Sequence, residues 1–271
     1  MSIQEDAELA QFALYAEDAF SAARSTPGAN LLAPPRDPRI SSDWTLRGVL
    51  TATDALFGPG SLRVASQHVF YGWWLERGDE SVVAIRGTAD ALEWGIDGLF
   101  APKTTHAIGG EVETGFWSVY RSMLCNGQPL SEIAKLAKGR ITVVGHSLGA
   151  AVATFAALDL AKAGAKVRGR FIASPHPGDG AFARAFGAIV PDHMAYANTD
   201  DVVPKVPFWF GYTHVPNLTT LSPAKEGVRI DGGLPGQHHV LTYIALIDRP
   251  TFQTFKPLPI DQKFLACVHF S

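Results

Sequence analysis

Between the apolar run Ile141-Thr142-Val143-Val144 and the small-residue run Ala150-Ala151-Val152-Ala153 lies the segment Gly145-His146-Ser147-Leu148-Gly149. A β-branched run, a glycine-flanked serine and an alanine-rich run read as strand, sharp turn and helix. On such a turn a serine is held in a strained conformation with its hydroxyl lifted above the sheet edge. The flanking glycines let strand and helix backbones approach with no side chain between them. Ser147 is therefore a candidate nucleophile, and the plainer alternative is a serine in an ordinary glycine-rich turn.

A nucleophilic serine needs a base to take its proton and a carboxylate to orient that base. In Asn198-Thr199-Asp200-Asp201-Val202-Val203-Pro204 an acid follows a predicted strand and precedes a proline-stiffened loop, a placement that can hold a carboxylate against a histidine; a turn whose aspartates bond their own backbone fits as well. His238 and His239 follow Gly232, Gly233 and Gly236, a flexible approach able to carry an imidazole to the sheet edge. Paired histidines also suit a metal. A zinc site wants three or four convergent ligands, and no further His, Cys or acid stands at short ligand spacing, so neither a metal nor a cofactor is expected. The developing oxyanion needs two donors: the N–H of Leu148, directly after the serine, and a group from Arg86-Gly87-Thr88 at the end of Val82-Val83-Ala84-Ile85, where Thr88 offers both an N–H and a hydroxyl.

The elements that must position these groups follow from periodicity. Leu9, Phe12, Ala13, Ala16 and Phe20 recur at helical spacing over residues 5–20, and four prolines make residues 26–38 an extended loop. Residues 69–76 and 81–86 read as a hairpin about the turn at 77–80. Strands are expected at 141–144, 170–173 and 193–197, and helices at 150–163, 181–189 and 237–247. An irregular antiparallel ribbon is expected over 208–221. Strand and helix alternating around the serine turn imply an α/β fold with a mostly parallel central sheet flanked by helices.

The 271 residues, 46% hydrophobic and 18% charged, suit one domain spanning 1–271. A net charge of −3 with no Lys/Arg cluster gives no footprint for nucleic acid. The apolar run from Leu148 to Leu158 falls short of the roughly 20 residues a membrane-spanning helix needs, so no transmembrane segment is expected. The opening Met1-Ser2-Ile3-Gln4-Glu5-Asp6 lacks a basic start and an apolar stretch, which implies a cytoplasmic protein or one secreted by a signal-less route. Cys125 and Cys267 have neither metal nor redox spacing and are expected to be free thiols.

Together these pieces resemble the class 3 lipase family of α/β-hydrolases, over roughly Phe12 to Ile247. Ile85-Arg86-Gly87-Thr88 is similar to the family's oxyanion loop, Glu113-Thr114-Gly115-Phe116 with Tyr120 to a structural Gly-Phe motif, and Gly145 to Gly149 to its nucleophile elbow. At Ser174-Pro175-His176-Pro177-Gly178 the chain departs from the family's Ser-Pro-Arg-Val-Gly, so no role of that arginine carries over. Asp201-Val202-Val203-Pro204 fits the frame of the family's acid, which selects Asp201 over Asp200, and His238 stands five residues before Tyr243, as the base does in many members, with His239 the alternative. The resemblance implies a lipase or esterase that hydrolyses lipid esters through Ser147, Asp201 and His238, with Thr88 and Leu148 at the oxyanion, no cofactor, and a lipid or small ester as partner in transient contact with a lipid interface. A non-catalytic scaffold on the same fold is the alternative from a different class. Residues 89–100, with Leu92, Trp94, Ile96 and Leu99, occupy the position of the family's lid, or form a short helix fixed on the core. Phe208, Trp209 and Phe210 are expected in the core rather than in an acyl pocket.

Overall fold

The computed structural model describes residues 3–53, 68–88, 103–208 and 211–270. The segment 89–100 expected as a lid, and Trp209 and Phe210, lie outside the described residues.

A nine-stranded sheet organises the molecule. Five strands are parallel, in the order β13 (Leu218–Leu221), β11 (His193–Asn198), β9 (Lys166–Ile172), β8 (Arg140–His146) and β3 (Glu80–Ile85). The sheet continues antiparallel through β2 (His68–Arg77), β1 (Thr45–Thr53), β6 (Leu124–Cys125) and β7 (Gln128–Pro129). The predicted hairpin is the β2–β3 pair, with Arg77 opposite Glu80. Beside it, β12 (Tyr212–Thr213), β10 (Gly178–Asp179), β5 (Glu111–Glu113) and β4 (Lys103–Thr105) form a small antiparallel sheet, and β14 (Val228–Ile230) pairs with β15 (Val268–Phe270). The ribbon expected at 208–221 is thus only half antiparallel. Tyr212–Thr213 pairs antiparallel with β10, whereas Leu218–Leu221 joins the main sheet parallel to β11, because the chain from 199 to 217 crosses over before returning.

Strand alternation decides which helix faces which side of β8. A methyl at Gly145 would overlap the carbonyl of Gly149, so helix α3 (Leu148–Lys162) lies against the face of residue 145. Thr142 and His146 point to the other face, and there helix α1 (Ile3–Arg24) presents a row of acids: Glu5 pairs with Arg168, Asp6 with Arg170 and Glu17 with His146. Helix α3 is buried on every side from Gly149 to Leu158, where Thr154 alone among the side chains is polar. Against it packs α2 (Thr114–Arg121), whose first turn is capped by the Glu113 carboxylate, which accepts from the Phe116 N–H at 2.7 Å. This is the structural part expected of the Gly-Phe motif, and Phe116 and Tyr120 are buried there. Helix α4 (Gly180–Ile189) matches its predicted bounds within a residue.

Two further expectations are corrected. Phe208 is 75% exposed and takes no place in the core. The helix expected over 237–247 is broken: α5 (Gly233–His238) ends, His239 is extended at φ −66° and ψ 144°, and α6 (Val240–Ile247) begins. Cys125 and Cys267 are unpaired. No described helix is long and apolar enough to cross a membrane.

Candidate active site

The parallel strands β3 and β8 run in register, Ile85 opposite Gly145, so the segments leaving their carboxyl ends travel together and bring Arg86-Gly87-Thr88 alongside His146-Ser147-Leu148. A methyl at Gly149 would overlap the Arg86 carbonyl, so the glycine there is what allows the two segments to touch. Ser147 has φ 57° and ψ −131°, a conformation that side chains rarely adopt, held by the Ser147 N–H donating to the Ile172 carbonyl at 2.9 Å and by α3 starting at the next residue.

The hydroxyl of Ser147 lies 2.8 Å from Nε2 of His238, and Nδ1 of His238 lies 2.7 Å from Oδ2 of Asp201. Three side chains distant in sequence thus meet at one sheet edge, all buried. A carboxylate only accepts, so Nδ1 carries the hydrogen and Nε2 is left to take the serine proton. The same Oδ2 accepts the Tyr243 hydroxyl at 2.7 Å, while Oδ1 accepts the Val203 N–H at 3.0 Å. Burial alone would push the Asp201 carboxyl up; the charge and hydrogen bond of His238, with the donations from Tyr243 and Val203, hold it below the ordinary carboxylate value. Burial, with the neighbouring Asp201 charge, drives the Tyr243 phenol well up, so it remains a donor.

The neighbouring candidates sit elsewhere. Asp200 is exposed and accepts from the Thr199 hydroxyl. His239 caps α6, its Nδ1 accepting the Leu241 N–H at 3.2 Å, and its ring stacks on Phe264 with centroids 3.7 Å apart. The break between α5 and α6 turns the two imidazoles in different directions. Thr88 follows Gly87 beside the elbow, and its hydroxyl oxygen is buried without a hydrogen-bond partner among the described residues. The Leu148 N–H opens α3, at the positive end of the helix dipole. No cluster of three or more metal-ligating side chains occurs among the described residues.

Sequence reasoning missed Arg86. Its guanidinium is buried between the Phe20 and Tyr71 rings, 3.7 and 4.4 Å from their centroids, and donates to the carbonyls of Phe70 and Gly87, which fixes the loop carrying Thr88. An arginine directly after an apolar strand was the available signal. It also missed the support of Asp201 by Tyr243, which the sequence offered as part of a motif without a role.

Two imidazoles make stability depend on pH. Burial and the His176 charge bring His214 down to about 4 against the opposing pull of the Pro204 carbonyl, and burial brings His239 down to about 3 against the opposing pull of Glu17. Both are neutral when folded and titrate near 6.5 when unfolded, so the unfolded chain binds more protons between 6.5 and the folded values and stability falls there as the pH is lowered. The loss of urea-unfolding free energy between pH 7 and pH 5 is expected to be about 2 kcal/mol smaller in His239→Phe than in the wild type; an equal loss in both would contradict this burial.

The sheet order and the serine turn define an α/β-hydrolase fold. Residues 82–211, just under half of the chain, match the family model described as Lipase (class 3). It is 33% identical over 204 residues to phospholipase A1-II 7 of Oryza sativa subsp. indica, covering 60% of this chain and 50% of that protein. It is 35% identical over 166 residues to secreted mono- and diacylglycerol lipase A of Penicillium cyclopium, covering 56% of this chain and 53% of that protein. The chain thus spans about half the length of these curated relatives. A crystal structure of a mutant form of MDLA from Penicillium cyclopium superposes with a TM-score of 0.56 at 25% identity, over 82% of this chain and 81% of that one. The Rhizomucor miehei lipase propeptide complex shares the fold at a TM-score of 0.58 and 20% identity, over 80% of this chain and 68% of that one.

Proposed function

We propose that this chain is a serine hydrolase of carboxylic esters, acting on lipid esters of the acylglycerol or phospholipid kind as one catalytic domain over 1–271. The observation that carries the reading is the unbroken line of contacts from the Ser147 hydroxyl through His238 to Asp201, at 2.8 and 2.7 Å. Ser147 Oγ attacks the ester carbonyl as His238 Nε2 takes its proton, and the carbonyl electron pair becomes an oxyanion facing the Thr88 donors and the Leu148 N–H. Collapse expels the alcohol, which receives the proton from His238 and leaves Ser147 acylated. Water, deprotonated by the same imidazole, then releases the carboxylic acid. Asp201 keeps the imidazole in the tautomer that begins each half. The names of the relatives, a phospholipase A1 and a mono- and diacylglycerol lipase, support lipid esters as the substrate class.

Thr88→Val keeps the side-chain volume and the N–H but removes the hydroxyl, and is expected to slow turnover about a hundredfold. Steady-state rates on a soluble ester check it, and wild-type kcat would remove Thr88 hydroxyl from the oxyanion site. The reading as a whole is tested with p-nitrophenyl esters from acetate to palmitate, with and without an emulsified interface. Hydrolysis that rises at the interface is expected; no turnover of any ester would contradict the reading and favour a scaffold.

A further inference from the structure

We propose that Glu17 and His146 are positioning residues that pin the main chain of the base His238 to the nucleophile turn; the inference rests on the hydrolase reading above. Nε2 of His146 lies 2.8 Å from the carbonyl oxygen of His238. A carbonyl only accepts, so this nitrogen carries the hydrogen and donates it. Nδ1 of the same ring stands 3.3 Å from the Glu17 carboxylate on α1, across 129 residues of sequence, and the ring is buried 4.7 Å from that of His238. Burial raises the Glu17 carboxyl, but His146 outweighs it by hydrogen bond and charge, with help from His239 and His238, and brings it to about 2.

The consequence is geometric. One residue supplies both ends of the nucleophile–base distance: the main chain of His146 runs directly into Ser147, and its side chain grips the main chain of His238. The grip is needed because His238 ends a six-residue helix entered through Gly232 and Gly233, both at positive φ, with residues 231–235 exposed. Gly87 leaves the contact room: a methyl there would stand 3.1 Å from His146 Nδ1 and 3.2 Å from the Glu17 carboxylate. Two other acids of α1, Glu5 and Asp6, hold the helix to the sheet through Arg168 and Arg170, so they fix the helix without touching the site.

The test compares kcat, KM and thermal midpoint on a soluble p-nitrophenyl ester for the full chain. His146→Leu is expected to lower kcat about thirtyfold with KM within about twofold, because a small misplacement of the base slows the chemical step without weakening ester binding. His146→Gln, whose amide can donate from the same reach, should recover at least about a third of the wild-type rate, and Glu17→Leu should lose about tenfold. Asp6→Asn, which loosens α1 at Arg170 and Tyr196, should lower the thermal midpoint while leaving kcat within about twofold. Wild-type kcat in His146→Leu, no advantage of Gln over Leu, or an equal kcat loss in Asp6→Asn would each overturn the proposal. If His146→Leu does not fold, wild-type kcat in Glu17→Leu overturns it. Wild-type protein inert toward every ester would instead defeat the hydrolase reading itself, and this inference with it.

Discussion

Ser147→Ala is expected to reduce ester turnover by about a millionfold while shifting unfolding free energy by less than about 1 kcal/mol. The separation of the two effects follows from the structure. The hydroxyl reaches His238 Nε2 at 2.8 Å, and its loss deletes the proposed nucleophile while the backbone of the turn stays bonded to Ile172. The φ of 57° is strained for serine and for alanine alike, so the substitution neither relieves nor adds backbone strain. Ser147→Gly, which accepts that φ freely, should be equally inactive and at least as stable. Kinetics and urea unfolding on the same preparations check both. Turnover retained in either variant would show that another residue is the nucleophile.

The second large effect separates two adjacent histidines. His238→Ala is expected to lower kcat about a millionfold, since the base and the partner of Asp201 vanish together. His239→Ala should keep kcat within about tenfold and cost about 1 kcal/mol of stability, through loss of the α6 cap and of the stack on Phe264. The reverse pattern, activity kept in His238→Ala and lost in His239→Ala, would contradict the assignment of the base.

That pair also shows where sequence reading reaches its limit. The turn around Ser147 was legible because its signal is local: β-branched strand, glycine-flanked serine and alanine-rich helix lie within about a dozen residues. The parallel strands β8, β9 and β11 were legible by the same kind of run. Which of His238 and His239 faces the serine was not, because it depends on a helix break at 239 that the packing of His239 on Phe264 and the cap at Leu241 decide. A continuous apolar period across 237–247 conceals that break. The parallel pairing of Leu218–Leu221 is not legible either, because it is set by a neighbour in space, here β11, and not by anything in the segment itself. Glu17 carries no local signal, because its meaning lies in a partner 129 residues away. Phe208 departs from the usual burial of aromatics and is exposed.

The central claim is that Ser147 is the activated nucleophile of this site. The direct measurement is reaction of the folded wild-type chain with a fluorophosphonate probe, followed by proteolysis and mass spectrometry of the labelled peptide. One adduct is expected, on Ser147, lost in His238→Ala and retained in His239→Ala. An adduct on a different serine, or none on folded protein, would contradict it.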